Sequence, residues 1–190
     1  MNIQSALVLS ILKQWRSYQW TQQGFGFLRT KIENVGRIHV WDSSLATRYV
    51  SSIHTHPWSF ESTIISGELI NQKYLIGQGE RWQPNYQSQC IATGEGGGLL
   101  NESKAVCLIP EQPELYTAGM FYRQESSEIH RTIAQDGTVT LLTRPQGPPL
   151  EEATVFWPIG THWVSAEPVP AAYYNVQRAI EYAIARWSAA

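Results

Sequence analysis

From Phe27 to Thr143 the chain breaks into short runs rich in β-branched and aromatic residues, each bounded by glycine, proline, asparagine or serine. Such side chains suit a pleated, half-buried surface, and the bounding residues are those that tight turns require. Helical periodicity is absent between the runs, so the pattern predicts a sandwich or barrel of many short strands. It returns at both ends. Ile3, Leu7, Ile11, Trp15 and Tyr18, widened by Val8 and Leu12, predict an amphipathic helix over about residues 3–18, with Asn2 as its cap. Gly24-Phe25-Gly26-Phe27 ends that stretch. Ala171 to Ser188 places Val176, Ile180, Ala183, Ile184 and Trp187 on one side of a second helix, introduced by Pro168 and Pro170.

The 190 residues suit a single core, which at this length buries roughly 70% of the surface the unfolded chain exposes. One domain is expected over 1–190: an N-terminal helix in 1–24, a β-barrel in 25–165 and a C-terminal helix in 166–190. The apolar stripes of the two helices need cover, either from the outside of the barrel or from a second copy. A homodimer is the expected assembly, dimers being the commonest closed symmetry.

His54-Thr55-His56 is the feature that carries chemistry. In an extended strand, side chains at i and i+2 leave the same face, so two imidazoles at that spacing reach one metal ion. His130, within Ser126-Ser127-Glu128-Ile129-His130-Arg131-Thr132, lies on a further short strand that can bring a third imidazole. Neutral imidazole is the commonest protein ligand for a transition metal, and three ligands leave positions open for a reactant. The alternative is a pair of half-buried rings hydrogen-bonded to backbone.

The string His54-Thr55-His56-Pro57-Trp58-Ser59-Phe60-Glu61, followed by Gly67-Glu68-Leu69, resembles the first motif of the cupin superfamily. The resemblance implies a mainly β fold, the double-stranded β-helix, with His54, His56 and His130 as ligands and Glu61 as a fourth. Glu61 lies five residues after His56, as in the family, but the interval from Glu61 to Gly67 is one residue short. Counting forward from His56 turns Glu61 inward; counting back from Gly67 puts Phe60 there instead, giving Phe60, Ser62 and Ile64 one consistent face. The usual Pro-x-Gly-x-x-His of the second motif is Glu125-Ser126-Ser127-Glu128-Ile129-His130 here, so His130 is assigned from chain order and strand context.

Without Glu61, the three histidines resemble the iron site of the cysteine dioxygenase branch, whose late histidine has a context similar to Ile129-His130-Arg131-Thr132. Small bacterial and phage cupins share this segment, the His-x-His-Pro-Trp-x-Phe opening and a strand like Thr138 to Arg144, over roughly residues 25 to 165. The implied cofactor is a divalent transition metal, iron before zinc or nickel. A metal-dependent oxygenase acting on a small polar molecule is the expected function. A binding cupin without turnover and a protein-interaction module are the alternatives.

Tyr122 and Arg131 are the candidate catalytic side chains. Tyr116, Tyr173 and Tyr174 are the other tyrosines available to such a site. Arg131 and Arg144 are candidates to hold a substrate carboxylate, since a guanidinium matches that group in geometry. Trp58, Phe60, Tyr74 and Tyr122 are candidate pocket walls. His39 and His162 are expected to pack or to support ligands rather than bind the ion.

Charged residues make up 16% of the chain, the formal net charge is −2, and no Lys/Arg run occurs. A nucleic-acid surface needs clustered cations, so none is expected. No stretch reaches the ~20 apolar residues that cross a bilayer. Ala6 to Leu12 lacks the basic flank and cleavage site of a signal peptide, so a cytoplasmic location is expected. Cys90 and Cys107 carry no motif and read as small hydrophobes of a reducing compartment. Thr93-Gly94-Glu95-Gly96-Gly97-Gly98 lacks the Gly-Lys-Ser/Thr ending of a phosphate loop and reads as a hairpin tip or a lid.

Overall fold

The computed structural model describes residues 3–47, 52–79, 81–92, 102–144, 152–162 and 168–189. The expected cap at Asn2 and the glycine-rich segment 93–98 lie outside them. Helix α1 (Ile3–Lys13) opens the chain. The strands follow as β1 (Thr21–Gln23), β2 (Phe27–Ile32), β3 (Gly36–Trp41), β4 (Ile53–His54), β5 (Phe60–Ser66), β6 (Glu68–Ile76), β7 (Tyr86–Ala92) and β8 (Lys104–Val106). Then come β9 (Leu108–Pro110), β10 (Glu114–Thr117), β11 (Phe121–Gln124), β12 (Ile129–Ala134), β13 (Val139–Thr143), β14 (Glu152–Pro158) and β15 (Val169–Pro170), before helix α2 (Tyr173–Ala189). The protein is thus mainly β with a helix near each end. No described helix is long and apolar enough to cross a membrane.

The strands form two antiparallel sheets in a barrel-like arrangement. One has seven strands in the order β11-β5-β13-β3-β2-β1-β15; the other has the order β10-β6-β12-β4-β14-β7-β8, with β9 added beside β6. The chain crosses from the first sheet to the second between β5 and β6, at Gly67. Its φ is +81°, and a Cβ there would stand 2.5 Å from Thr138 Oγ1, so glycine is needed both for the turn and for the close approach.

Alternation assigns the two faces of the seven-stranded sheet to different tasks. Leu28, Ile38, Val40, Ile65, Val139 and Leu141 form the outward row and pack under Val8, Ile11 and Leu12 of α1 and Val176, Ile180 and Ala183 of α2. The helices therefore cover the outside of the barrel, one of the two arrangements expected for them. The opposite row, including Arg29, Arg37, His39, Trp41, Phe60 and Ser62, faces a cavity of about 360 Å³ shared with the second sheet.

The first helix is shorter than its periodicity implies. It ends at Lys13, and Trp15–Ser17 forms a separate tight turn. The Trp15 carbonyl accepts from the Tyr18 N–H and from the Trp20 indole N–H, so the chain tightens instead of continuing the α-helical ladder. Trp15 and Tyr18 still join the same apolar cluster, which is why the stripe persists beyond the helix.

Candidate metal centre

His54 sits on β4, directly opposite His130 of β12 and Val155 of β14. His56 follows just beyond the strand, its N–H donated to the Ser126 carbonyl at 3.2 Å. The three rings converge at the cavity, with centroids 4.6 Å (His54–His56), 5.1 Å (His54–His130) and 5.0 Å (His56–His130) apart. One nitrogen from each lies within 4.8 Å of the other two. The shortest approach is His56 Nε2 to His130 Nε2, at 2.9 Å.

Hydrogen bonds decide which nitrogen is free on two of the rings. Gln124 Nε2 donates to the Glu128 carbonyl at 3.4 Å, a group that can only accept. Gln124 Oε1 is therefore turned to Asn71 and accepts from its Nδ2 at 3.1 Å, which leaves Asn71 Oδ1 to accept from His130 Nδ1–H at 2.7 Å. The polarity of the whole chain of bonds follows from one backbone carbonyl, and it makes His130 Nε2 a lone-pair nitrogen. Asn71 and Gln124 are both fully enclosed, so no solvent competes for these groups. His54 Nδ1–H donates to the Ser52 carbonyl at 2.9 Å, which likewise frees its Nε2.

All three rings are held uncharged. Burial lowers His54, against the opposing Ser52 hydrogen bond. Burial lowers His56 and His130 well below the usual 6.5, helped by their histidine neighbours and, for His130, by Lys73. Neutral nitrogen donors are what a transition metal requires. With metal–nitrogen bonds of about 2.1 Å, two donors at a right angle stand about 3.0 Å apart and two at the tetrahedral angle about 3.4 Å. The 2.9 Å contact fits the first spacing. Three neutral imidazoles converging in this way are a donor set that could hold a divalent ion.

Aromatic rings surround the histidines. Phe25 stacks on His54 at 5.0 Å with 15° between planes, and Phe60 meets His56 edge-on at 4.7 Å. Trp58 lies 5.4 Å from His56, while Arg37 and Arg144 place their guanidinium carbons 5.0 Å and 5.7 Å from its indole.

Two expected site residues stand elsewhere. Glu61 is opposite Arg123 and Thr143, between the cavity-lining Phe60 and Ser62, and so leaves β5 on the other face. The count back from Gly67 is the one that applies, and Glu61 is not part of the ligand group. Arg131 follows His130 on β12 and by the same alternation faces away from the cavity, next to Tyr74 on the outside of the second sheet. Tyr74 belongs to a separate cluster with Ile53, Leu108, Ile129 and Phe156 and does not line this cavity.

Tyr122 does line the cavity, behind Phe60 at 6.2 Å. Burial pushes its phenol up, against hydrogen bonds with Ser62 and Thr132. Tyr173 and Tyr174 are exposed on α2, and His162 is exposed beyond β14. His39 packs against Phe27 at 4.4 Å on the cavity wall, outside the ligand group. Cys107 is buried and Cys90 half-buried, neither in a disulfide nor on the cavity wall.

Sequence reasoning missed Asn71, Gln124, Arg29 and Arg37. Asn71 had a signal: asparagine is depleted in strands, and one in mid-strand phase with Leu69 needs a buried partner. Compared with protein-family models, curated proteins and solved structures, the chain matches none.

Proposed function

We propose that this protein is a cupin whose His54, His56 and His130 hold one divalent metal, and that it acts as an oxygenase on a small molecule bound in the adjoining cavity. The observation that carries the reading is the pair of lone-pair nitrogens, His54 Nε2 and His130 Nε2, oriented by hydrogen bonds and meeting His56 at the cavity. Two facing antiparallel sheets agree with a double-stranded β-helix. Iron is the first choice of metal, then zinc or nickel. A redox-active ion held by three neutral imidazoles would keep its charge and open positions, supplying a point where dioxygen and a small molecule meet.

The chain's own residues have distinct tasks in this reading. Asn71 fixes the His130 ring, Phe25 and Phe60 flank the half-buried rings of His54 and His56, and Trp58 and Tyr122 shape the wall beside them. A binding role without turnover has two observations in its favour. No carboxylate of the described residues lines the cavity, and Tyr122, already hydrogen-bonded and shifted upward, is a poor proton donor or acceptor near neutrality.

The test is elemental analysis of wild type beside His54→Ala/His130→Ala after anaerobic Fe(II) loading, with oxygen consumption recorded on adding small thiols and other small polar molecules. Near-stoichiometric metal in wild type, lost in the variant, is expected together with oxygen uptake. Metal without uptake favours the binding role. No metal in the wild type refutes the centre.

A further inference from the structure

The cavity wall opposite the histidines carries two arginines and two buried donors without a partner, and no carboxylate of the described residues lines it. Arg29 lies opposite His39 across β2 and β3, and Thr140 lies opposite His39 on its other side, across β3 and β13. Arg37 and Trp41 are two residues before and after His39, so all five side chains share the inward face. Trp41 Nε1 and Thr140 Oγ1 are buried, line the cavity and have no hydrogen-bond partner among the described residues. A buried polar group without a partner costs about 1–3 kcal/mol, so two on one wall require a reason.

The two arginines repeat the pattern. Arg29 Nε donates to Thr21 Oγ1 at 3.1 Å, Arg37 lies over the Trp58 ring, and neither pairs with a carboxylate of the described residues. Each is instead set against a like charge. Burial and then Arg37 lower Arg29 to about 10, while burial and then Arg144 lower Arg37. His39, pushed down to about 3 by burial and both arginines, stays neutral and supplies no countercharge. Partly buried cations placed together without an anion are unfavourable unless something bound completes them.

We propose that this wall binds the carboxylate of a small organic anion, gripped by Arg29 and Arg37 with the Trp41 indole N–H and the Thr140 hydroxyl as further donors. The planar guanidinium forks match a carboxylate, and Trp58 and Phe27 offer an apolar seat for the rest of the molecule. Trp58 touches both Arg37 and the ring of His56, so an anion held here presents its remaining atoms to the histidine group. A cavity of about 360 Å³ lies at the small end of ligand pockets, which suits a single-ring acid or a short-chain acid. The inference rests on the metal-centre reading only in making that anion the substrate.

The probe is benzoate, with benzamide as its neutral isostere and phosphate as a non-carboxylate anion, titrated by calorimetry at constant ionic strength into wild type, Arg29→Gln/Arg37→Gln and Trp41→Phe. Metal content is measured on every sample. Benzoate is expected to bind at least about tenfold more tightly than benzamide or phosphate. The double variant should lose that preference with its metal content unchanged, and Trp41→Phe, which keeps both charges, should weaken benzoate severalfold. If the double variant does not fold, Arg37→Lys replaces it and should still reduce the preference. Equal binding of benzoate and benzamide, stronger binding of phosphate, no binding of any probe, or an undiminished preference in the variants would each overturn the proposal. A benzoate preference in protein that takes up no metal would keep the anion site and refute the metal centre; metal uptake without the preference would do the reverse.

Discussion

Replacing Asn71 with leucine cuts the bond chain that orients His130 while leaving every ligand in place. Leucine keeps the branched four-atom outline of asparagine with bulkier methyl ends, and removes its polarity. Two enclosed groups lose their partner: His130 Nδ1–H, donated at 2.7 Å, and Gln124 Oε1, which accepts at 3.1 Å. Each orphaned group costs about 1–3 kcal/mol, partly offset by the added apolar burial. A net loss of about 3 kcal/mol lowers Tm by roughly 6–12 °C in a domain of this size. His130 is then free to protonate either nitrogen, and metal affinity should fall by about 10–100-fold, the usual effect of removing a ligand's hydrogen-bonding partner. Zn(II) affinity measured by competition with a chromophoric chelator, beside thermal melts of the metal-free protein, reads the two effects separately. Gln124→Leu is the control: it should destabilise to a similar degree but cost less metal affinity, because Asn71 remains beside His130. If Asn71→Leu lowers Tm while binding Zn(II) as tightly as the wild type, the tautomer of His130 is not set through Asn71 and the reasoning fails.

Glu61→Gln and Arg131→Gln should each leave metal content within about twofold of wild type, since both side chains leave their strands on the face away from the histidines. Elemental analysis decides this, and loss of metal in the first would restore Glu61 as a ligand. His39 makes acid stability the third test. Its folded pKa is about 3 against 6.5 when unfolded, so between those values the unfolded chain binds a proton that the folded chain does not. Stability therefore falls as pH drops through that window, by up to about 1.4 kcal/mol per pH unit from this one group. Metal-free His39→Phe should show a shallower acid limb than metal-free wild type in urea melts from pH 6.5 to 4, and parallel limbs would contradict the assignment.

What the sequence disclosed was local. Strand-forming runs, turn residues and the close spacing of His54 and His56 are properties of a few consecutive residues; the two histidines do converge, although the strand ends at His54 and His56 lies just beyond it. The face taken by Glu61 depended on a one-residue count between His56 and Gly67, which the geometry of the intervening turn settles and periodicity does not. The end of α1 was hidden because Trp15 and Tyr18 keep contributing to the same apolar cluster after the helix has stopped. Asn71 and His130 are 59 residues apart in the chain and meet only through the pairing of β6 with β12. Arg29 and Arg37 alternate with the apolar Leu28, Ile38 and Val40 on strands that also carry Thr30, Lys31 and His39, and nothing local says that the charged row faces inward.

That row has a consequence for how the barrel knows its inside from its outside. In an ordinary two-sheet protein the oily side of each sheet turns toward its partner. Here β2 and β3 turn Leu28, Ile38 and Val40 away from the second sheet and under the helices, and keep Arg29, Arg37 and His39 for the interior. The two helices therefore do for the outside of this sheet what the second sheet does for its inside, and removing either would put part of the Leu28, Ile38 and Val40 row into water.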